Sequence, residues 1–104
     1  ICKTEPDYVY NIKDGEILKS GSSITALSAI GQPEQFYAFL KDYKIKDKIT
    51  FDDHHQYQPA DIKDISGAIV TTEKDAVKLK SFGYDNIYAL KLKTEINVGE
   101  LLNG

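Results

Sequence analysis

Both histidines of the chain lie next to two carboxylates, in the run Asp52-Asp53-His54-His55, and Tyr57 follows two residues later. A histidine beside a carboxylate can orient a reacting group, polarise it or carry a proton near neutral pH. Acidic and imidazole side chains are also ordinary in an exposed turn, so residue type alone leaves both interpretations open. The run is the candidate catalytic segment of the chain.

The position of this run favours the chemical interpretation. It comes directly after a strand-like stretch, residues 45–51, and before a helix-like stretch that opens at Pro59. In open α/β sheets, ligands and reacting groups collect at the loops that follow the carboxyl ends of the strands.

The surrounding pattern predicts such a sheet. Strand-like runs cover residues 24–30, 45–51, 68–71 and 86–92, and helix-like runs begin at Pro33, Pro59 and Thr72. The order β-α-β-α-β-α-β predicts an α/β fold with a mostly parallel, Rossmann-like sheet flanked by helices. A further helical turn is expected at residues 98–102.

An N-terminal β-hairpin is predicted to precede this unit. Residues 8–12 and 17–18 are the two strands, and Asp14-Gly15 is a residue pair that suits the turn between them. The polar break at residues 20–23 separates the hairpin from the rest. We therefore divide the chain into a hairpin or inter-domain linker, residues 1–22, and a C-terminal α/β domain, residues 23–104.

Three loops, residues 31–34, 52–58 and 72–75, should leave the same edge of the sheet. If the strand at residues 24–30 lies between the next two strands along the chain, the loops diverge and form a crevice that His54 overlooks. Gly31 suits either a tight structural turn or the close approach of a ligand.

The third loop has a structural explanation as well as a functional one. Thr72 and Asp75 have the spacing of a capping box, with Asp in place of the usual Glu or Gln. Capping does not explain Lys74, which lies against the helix dipole and is either solvated or paired with an anion.

Composition limits the classes of function. The chain has 104 residues, enough for one domain, and its formal net charge of −3 argues against a broad nucleic-acid-binding surface. Its single cysteine fits a reducing compartment, and no apolar run is long enough to cross a membrane. No ligand spacing completes a transition-metal site. Methionine is absent and the chain opens on Ile1, so we expect a piece of a longer protein.

Three blocks together resemble one family, the tetraacyldisaccharide 4'-kinases, which are the lipid A 4'-kinases of Gram-negative bacteria. The blocks are residues 29–36 (AIGQPEQF), 51–57 (FDDHHQY) and 72–78 (TEKDAVK). They occur in the family's order and at its separations, and the resemblance covers about residues 8–92. Gln35 stands where the family commonly has Arg.

The resemblance implies a C-terminal portion of a kinase that transfers the γ-phosphate of ATP, with Mg²⁺, to the 4'-hydroxyl of a tetraacyldisaccharide 1-phosphate. It also implies a partner, the N-terminal P-loop domain of the same protein, which binds most of the ATP and Mg²⁺. The substrate is a lipid, and the expected location is peripheral, on the cytoplasmic face of the inner membrane. No P-loop motif occurs in this chain, and the chain alone should be inactive.

Roles for individual residues follow from the same resemblance. His54 would hydrogen-bond the catalytic Asp of the other domain, with Asp53 fixing its ring, and no metal ligand is assigned. Glu73, Lys74 and Gly31 are candidates for the nucleotide or phosphate side of the cleft. The alternatives are a free-standing α/β module that binds a nucleotide or a metal, and a structural domain without chemistry.

Overall fold

A computed structural model describes residues 2–29, 33–52 and 55–96 of the chain. The elements in chain order are β1 (Cys2–Asn11), β2 (Ser23–Ser28), α1 (Pro33–Phe39), β3 (Lys44–Thr50), a 3₁₀ turn (Pro59–Asp61), β4 (Ala68–Thr72), α2 (Glu73–Leu79), a second 3₁₀ turn (Lys80–Phe82) and β5 (Ile87–Ile96).

The strands form one sheet in the order β1-β5-β4-β2-β3. The pairs β2–β3, β2–β4 and β4–β5 are parallel, and β1 runs antiparallel to β5. The predicted α/β fold with a mostly parallel sheet is confirmed. β2 lies between β3 and β4, which is the condition for the loops at this edge to diverge.

Alternation along β2 divides the core into two layers, because successive side chains of a strand point to opposite faces. Ile24 and Ala26 pack with Phe36 and Leu40 of the α1 region. Leu27 of the same strand packs in the other layer, which includes Leu79 of α2, Ile62 and Ile69. The two helices therefore cover opposite faces of the sheet. The i, i+3, i+4, i+7 spacing of Phe36, Phe39, Leu40 and Tyr43 predicts the buried stripe of the α1 region.

The predicted hairpin forms as a turn with a very short return. Leu18 N–H donates to the Val9 carbonyl at 2.8 Å, and Tyr10 and Ile17 form a single antiparallel bridge. The main partner of β1 is β5, from Cys2 opposite Ile96 to Asn11 opposite Tyr88. This long-range pairing was not predicted, and it extends β5 beyond the expected end at residue 92.

The helix predicted at Pro59 shrinks to one 3₁₀ turn. Ile62, which follows this turn, is 2% exposed, and Ile65 packs partly against the same core layer. The two isoleucines are one helical turn apart, so their spacing supported no more than a turn. The helical turn predicted at residues 98–102 lies outside the described residues.

In the described ranges, no helix is both long enough and apolar enough to cross a membrane.

Candidate functional site

Only some of the predicted site residues can be placed. Asp53, His54 and Gly31 lie outside the described residues, so their predicted roles stay predictions. Glu73 and Lys74 are the first two residues of α2. The site is therefore built from the side chains that surround the candidate segment.

His55 belongs to a tight aromatic cluster directly after β3. Its ring stacks on Phe51 with centroids 4.1 Å apart and planes 6° from parallel. Tyr57 meets both rings edge-on, at 5.2 Å from His55 and 5.6 Å from Phe51. Edge-to-face and offset contacts of this kind stabilise aromatic pairs beyond simple burial. These three rings pack against one another on either side of the segment's other residues in the sequence.

The outer side of the His55 ring is held by Asp61. His55 Nε2 lies 2.8 Å from Asp61 Oδ2, and the same oxygen accepts the Gln58 N–H at 2.9 Å. The Gln58 hydrogen bond, followed by that of His55, lowers the pKa of Asp61. His55 is thus occupied in holding the loop, which leaves His54 as the histidine to consider for chemistry.

Glu73 has partners on the two strands at the far side of the sheet. The Tyr10 hydroxyl of β1 donates to Glu73 Oε2 at 2.8 Å, and Lys91 Nζ of β5 lies 3.9 Å from Oε1. Both members of the Lys91 ion pair are exposed by more than two fifths, so that pair contributes little. The carboxylate predicted to face a nucleotide is therefore already engaged by the protein.

Lys74 borders two concavities. The larger, about 700 Å³, lies between the second loop and α2 and is lined in part by His55, Gln56 and Lys78. The smaller, about 250 Å³, is lined mainly by apolar side chains, among them Phe36 and Leu90. Lys74 therefore lines both cavities at the start of α2.

Asp75 joins the end of β2 to the start of α2. Its backbone N–H donates to Thr72 Oγ1 at 3.1 Å, which confirms half of the predicted capping box. The carboxylate does not reach the Thr72 backbone, as the full box would require. Instead Asp75 Oδ2 accepts the Thr72 hydroxyl at 2.9 Å and the Ala29 N–H at 3.1 Å. An aspartate is one methylene shorter than glutamate, and here it is drawn to the end of β2.

The described residues do not gather the ligands of a metal. Within residues 2–29, 33–52 and 55–96, no three His, Cys, Asp or Glu side chains come together as a metal-binding group. A magnesium ion bound with ATP phosphates takes only one or two protein carboxylates, so its site does not require such a group of three.

Sequence reasoning missed two contributors. The spacing of Asp75 predicts a cap and nothing more, although the side chain is fully buried, and nothing in the sequence predicts that the Tyr57 hydroxyl is buried. A buried carboxylate at a cap gives no pattern of its own, because every N-terminal turn of a helix favours acidic residues. The spacing Phe51, His55, Tyr57 was the only available signal for the aromatic cluster.

The family model described as tetraacyldisaccharide-1-P 4'-kinase matches residues 2–103. Among curated proteins, the tetraacyldisaccharide 4'-kinase of Legionella pneumophila (strain Corby) is 40% identical over 77 residues, which are 73% of this chain and 24% of that protein. The enzyme of the same name from Aliarcobacter butzleri is 40% identical over 96 residues, 86% of this chain and 30% of that protein.

A solved structure agrees with these relatives. LpxK from Aquifex aeolicus, crystallised in complex with ATP, superposes with a TM-score of 0.69 at 29% sequence identity. The match covers 97% of this chain and 33% of that one. The chain thus spans about a quarter to a third of the length of the relatives that it matches.

Proposed function

The chain belongs to the tetraacyldisaccharide-1-P 4'-kinase family, and on that premise we propose that it is the C-terminal domain of an ATP-dependent lipid A 4'-kinase. The complete enzyme transfers the γ-phosphate of ATP to the 4'-hydroxyl of a tetraacyldisaccharide 1-phosphate. An N-terminal P-loop domain of the same protein is its partner and holds the ATP and Mg²⁺.

The observation that carries this proposal is the arrangement of the loops at the carboxyl edge. β3 and β4 flank β2, and the segments that follow β3 and β4 border one concavity of about 700 Å³. The histidine pair sits on the first of these segments and Lys74 on the second. A facing domain would close this concavity into a cleft between the two halves.

In this scheme the chain contributes orientation and charge. Phosphoryl transfer depends mainly on positioning and electrostatic stabilisation, with one group orienting the nucleophile. The His54 imidazole hydrogen-bonds the catalytic Asp of the other domain and holds it toward the sugar hydroxyl, and Asp53 fixes the ring. Lys74 meets the phosphate side of the cleft, where Gly31 permits close approach of the backbone.

Glu73 has a different part in the proposal. Because its carboxylate is held by Tyr10 and lies near Lys91, it anchors the start of α2 rather than approaching an anionic nucleotide. The proposed location is the cytoplasmic side of the inner membrane, as a peripheral protein. Its test is cell fractionation, with release of the protein from membranes by alkaline carbonate.

The two histidines offer a matched test in the full-length polypeptide. His54→Ala should lower turnover about a hundredfold or more while the KM for ATP changes little, since acid–base and orienting groups contribute on that scale. His55→Ala should lower the melting temperature and reduce turnover less than His54→Ala does, because it removes only the ring between Phe51 and Asp61. Unchanged turnover in a folded His54→Ala protein would remove His54 from the mechanism.

A binding assay separates this proposal from a free-standing nucleotide-binding module. We expect the isolated chain to bind ATP weakly with or without Mg²⁺, and activity to return when the N-terminal half is added. Tight, Mg²⁺-dependent binding by the chain alone would support the module instead.

A further inference from the structure

Three buried polar atoms at the carboxyl edge have no hydrogen-bond partner among the described residues. They are Tyr57 Oη, Thr71 Oγ1 and Asp75 Oδ1. Asp75 and Thr71 are fully buried and Tyr57 is 7% exposed. Polar atoms this deeply buried nearly always have a hydrogen-bond partner, so the position of these three atoms needs an explanation.

Asp75 already connects the end of β2 to the third loop through its other oxygen. Oδ2 binds the backbone of Ala29, at the end of β2, and the hydroxyl of Thr72, at the start of α2. Capping of α2 needs only the Thr72 hydroxyl and the Asp75 N–H. The cap of α2 therefore does not explain why the Asp75 carboxylate is buried.

Tyr57 brings the second loop to the same place. Tyr57 packs in the same buried cluster as Ala29, whose N–H donates to Asp75 Oδ2. The pKa of Tyr57 is raised first by burial and next by the negative charge of Asp75, which agrees with this proximity. Tyr57 has a proton to donate, and Asp75 Oδ1 has room to accept one.

We propose that Asp75 is a positioning residue of the kinase site, which holds Ala29 and Thr72 through Oδ2 and the Tyr57 hydroxyl through Oδ1. Because neither atom has a direct hydrogen-bond partner among the described residues, the Tyr57 bond is made through one bridging water. It fixes Tyr57, and through the aromatic cluster His55, on the segment that carries Asp53 and His54. The catalytic part of this inference rests on the proposed function.

Three variants of the full-length polypeptide test it. Asp75→Asn keeps the size of the side chain but removes the charge, and Tyr57→Phe removes only the hydroxyl. Thr72→Ala is the control: it weakens the cap and removes one partner of Asp75 Oδ2, but it leaves the charge of Asp75 and its Oδ1 in place. Asp75→Asn should lower kcat about tenfold to a hundredfold with little change in KM for ATP, the scale expected when a reacting group is misplaced. Thr72→Ala should lower the melting temperature without a comparable fall in kcat.

A double-mutant cycle reads the contact itself. Tyr57→Phe should lower kcat in the wild-type background and have no further effect in Asp75→Asn. The inference is overturned if the two effects simply add, or if Asp75→Asn and Thr72→Ala lower kcat in proportion to their losses of melting temperature. If Asp75→Asn does not fold, Tyr57→Phe alone decides, since an unchanged kcat in that variant excludes the role.

Amide hydrogen exchange separates this inference from the proposed function, because it does not depend on activity. Asp75→Asn and Tyr57→Phe should both speed exchange across residues 52–58, whereas Thr72→Ala should act on α2. If these exchange rates change as expected but the protein has no kinase activity, the contact of Asp75 with Tyr57 is supported and the proposed function is wrong. If exchange at residues 52–58 is unchanged in an active kinase, the proposed function stands and the contact is wrong.

Discussion

Tyr10 donates a 2.8 Å hydrogen bond to Glu73, across 63 positions of sequence. The bond ties β1 to the first residue of α2, and Lys91 on β5 approaches the other oxygen of the same carboxylate. Burial, and then this hydrogen bond and the charge of Glu73, raise the pKa of Tyr10 to about 12. The start of α2 is therefore fastened to two neighbouring strands.

Replacing Tyr10 by Phe should lower the free energy of unfolding by about 1 kcal/mol at pH 7, the usual net value of one hydrogen bond. Because the pKa of Tyr10 is raised in the folded protein, Tyr10 stabilises the fold fully below the ordinary tyrosine pKa of 10.0. That stabilisation is lost as the pH rises toward about 12. The Tyr10→Phe protein should therefore lose less stability than wild type over that interval. Urea denaturation at a series of pH values measures both effects, with Tyr84→Phe as the control. Parallel curves for wild type and Tyr10→Phe would contradict the assignment.

Asp61 predicts the opposite pH dependence. The pKa of Asp61 is lowered in the folded protein, so Asp61 stabilises the fold above the ordinary aspartate pKa of 3.8. This stabilisation is lost as the pH falls through the lower pKa of the folded protein. Asp61→Asn should cost about 1 kcal/mol at pH 7, and the difference from wild type should shrink in acid below about pH 4. Thermal melts from pH 2 to 7 follow this change. Asp64→Asn, an exposed carboxylate three residues further along, should show no such convergence.

The cap of α2 can be tested by removing one hydroxyl. Thr72→Ala should destabilise the protein by about 1 kcal/mol, because the Asp75 N–H loses its partner and the Asp75 carboxylate loses one of its two partners. Thr72→Ser keeps the hydroxyl and should retain most of that stability. Chemical denaturation compares the two, and an equal loss in both would assign the effect to the methyl group instead.

The two faces of α2 should respond very differently to truncation. Leu79 is fully buried, so Leu79→Ala should cost about 2–5 kcal/mol through lost burial and the cavity that remains. Val77 on the same helix is 75% exposed, and Val77→Ala should change stability by less than about 0.5 kcal/mol. Melting temperatures of the two variants, measured side by side, check the orientation of the helix.

Local patterns predicted most of the sheet. The apolar run at residues 24–30 gave β2, and Phe36 and Leu40 gave the buried stripe of the α1 region, because burial on one or two faces leaves a clear period in the sequence. The antiparallel ladder between β1 and β5 left no such trace. Asp14-Gly15 marked a turn to a nearby strand, whereas the larger partner of β1 lies some 80 residues away, and only tertiary packing selects it.

The candidate site divides in the same way. Residue type and loop position pointed to the His54 segment and to Lys74, since polar residues after parallel strands carry a local signature. The engagement of Glu73 by Tyr10, and of Asp75 by Ala29, depends on chain segments that are 63 and 46 positions apart. A single sequence does not show which distant donor, whether a side chain or a backbone N–H, binds which carboxylate.

β3 is a rim strand, paired among the described residues with β2 and with no strand on its outer side. The corner that follows β3 is instead held by side chains, through the stacking of Phe51 on His55 and the pairing of His55 with Asp61. Changes in these side chains should therefore move the corner while the pairings of β1, β5, β4 and β2 stay as they are.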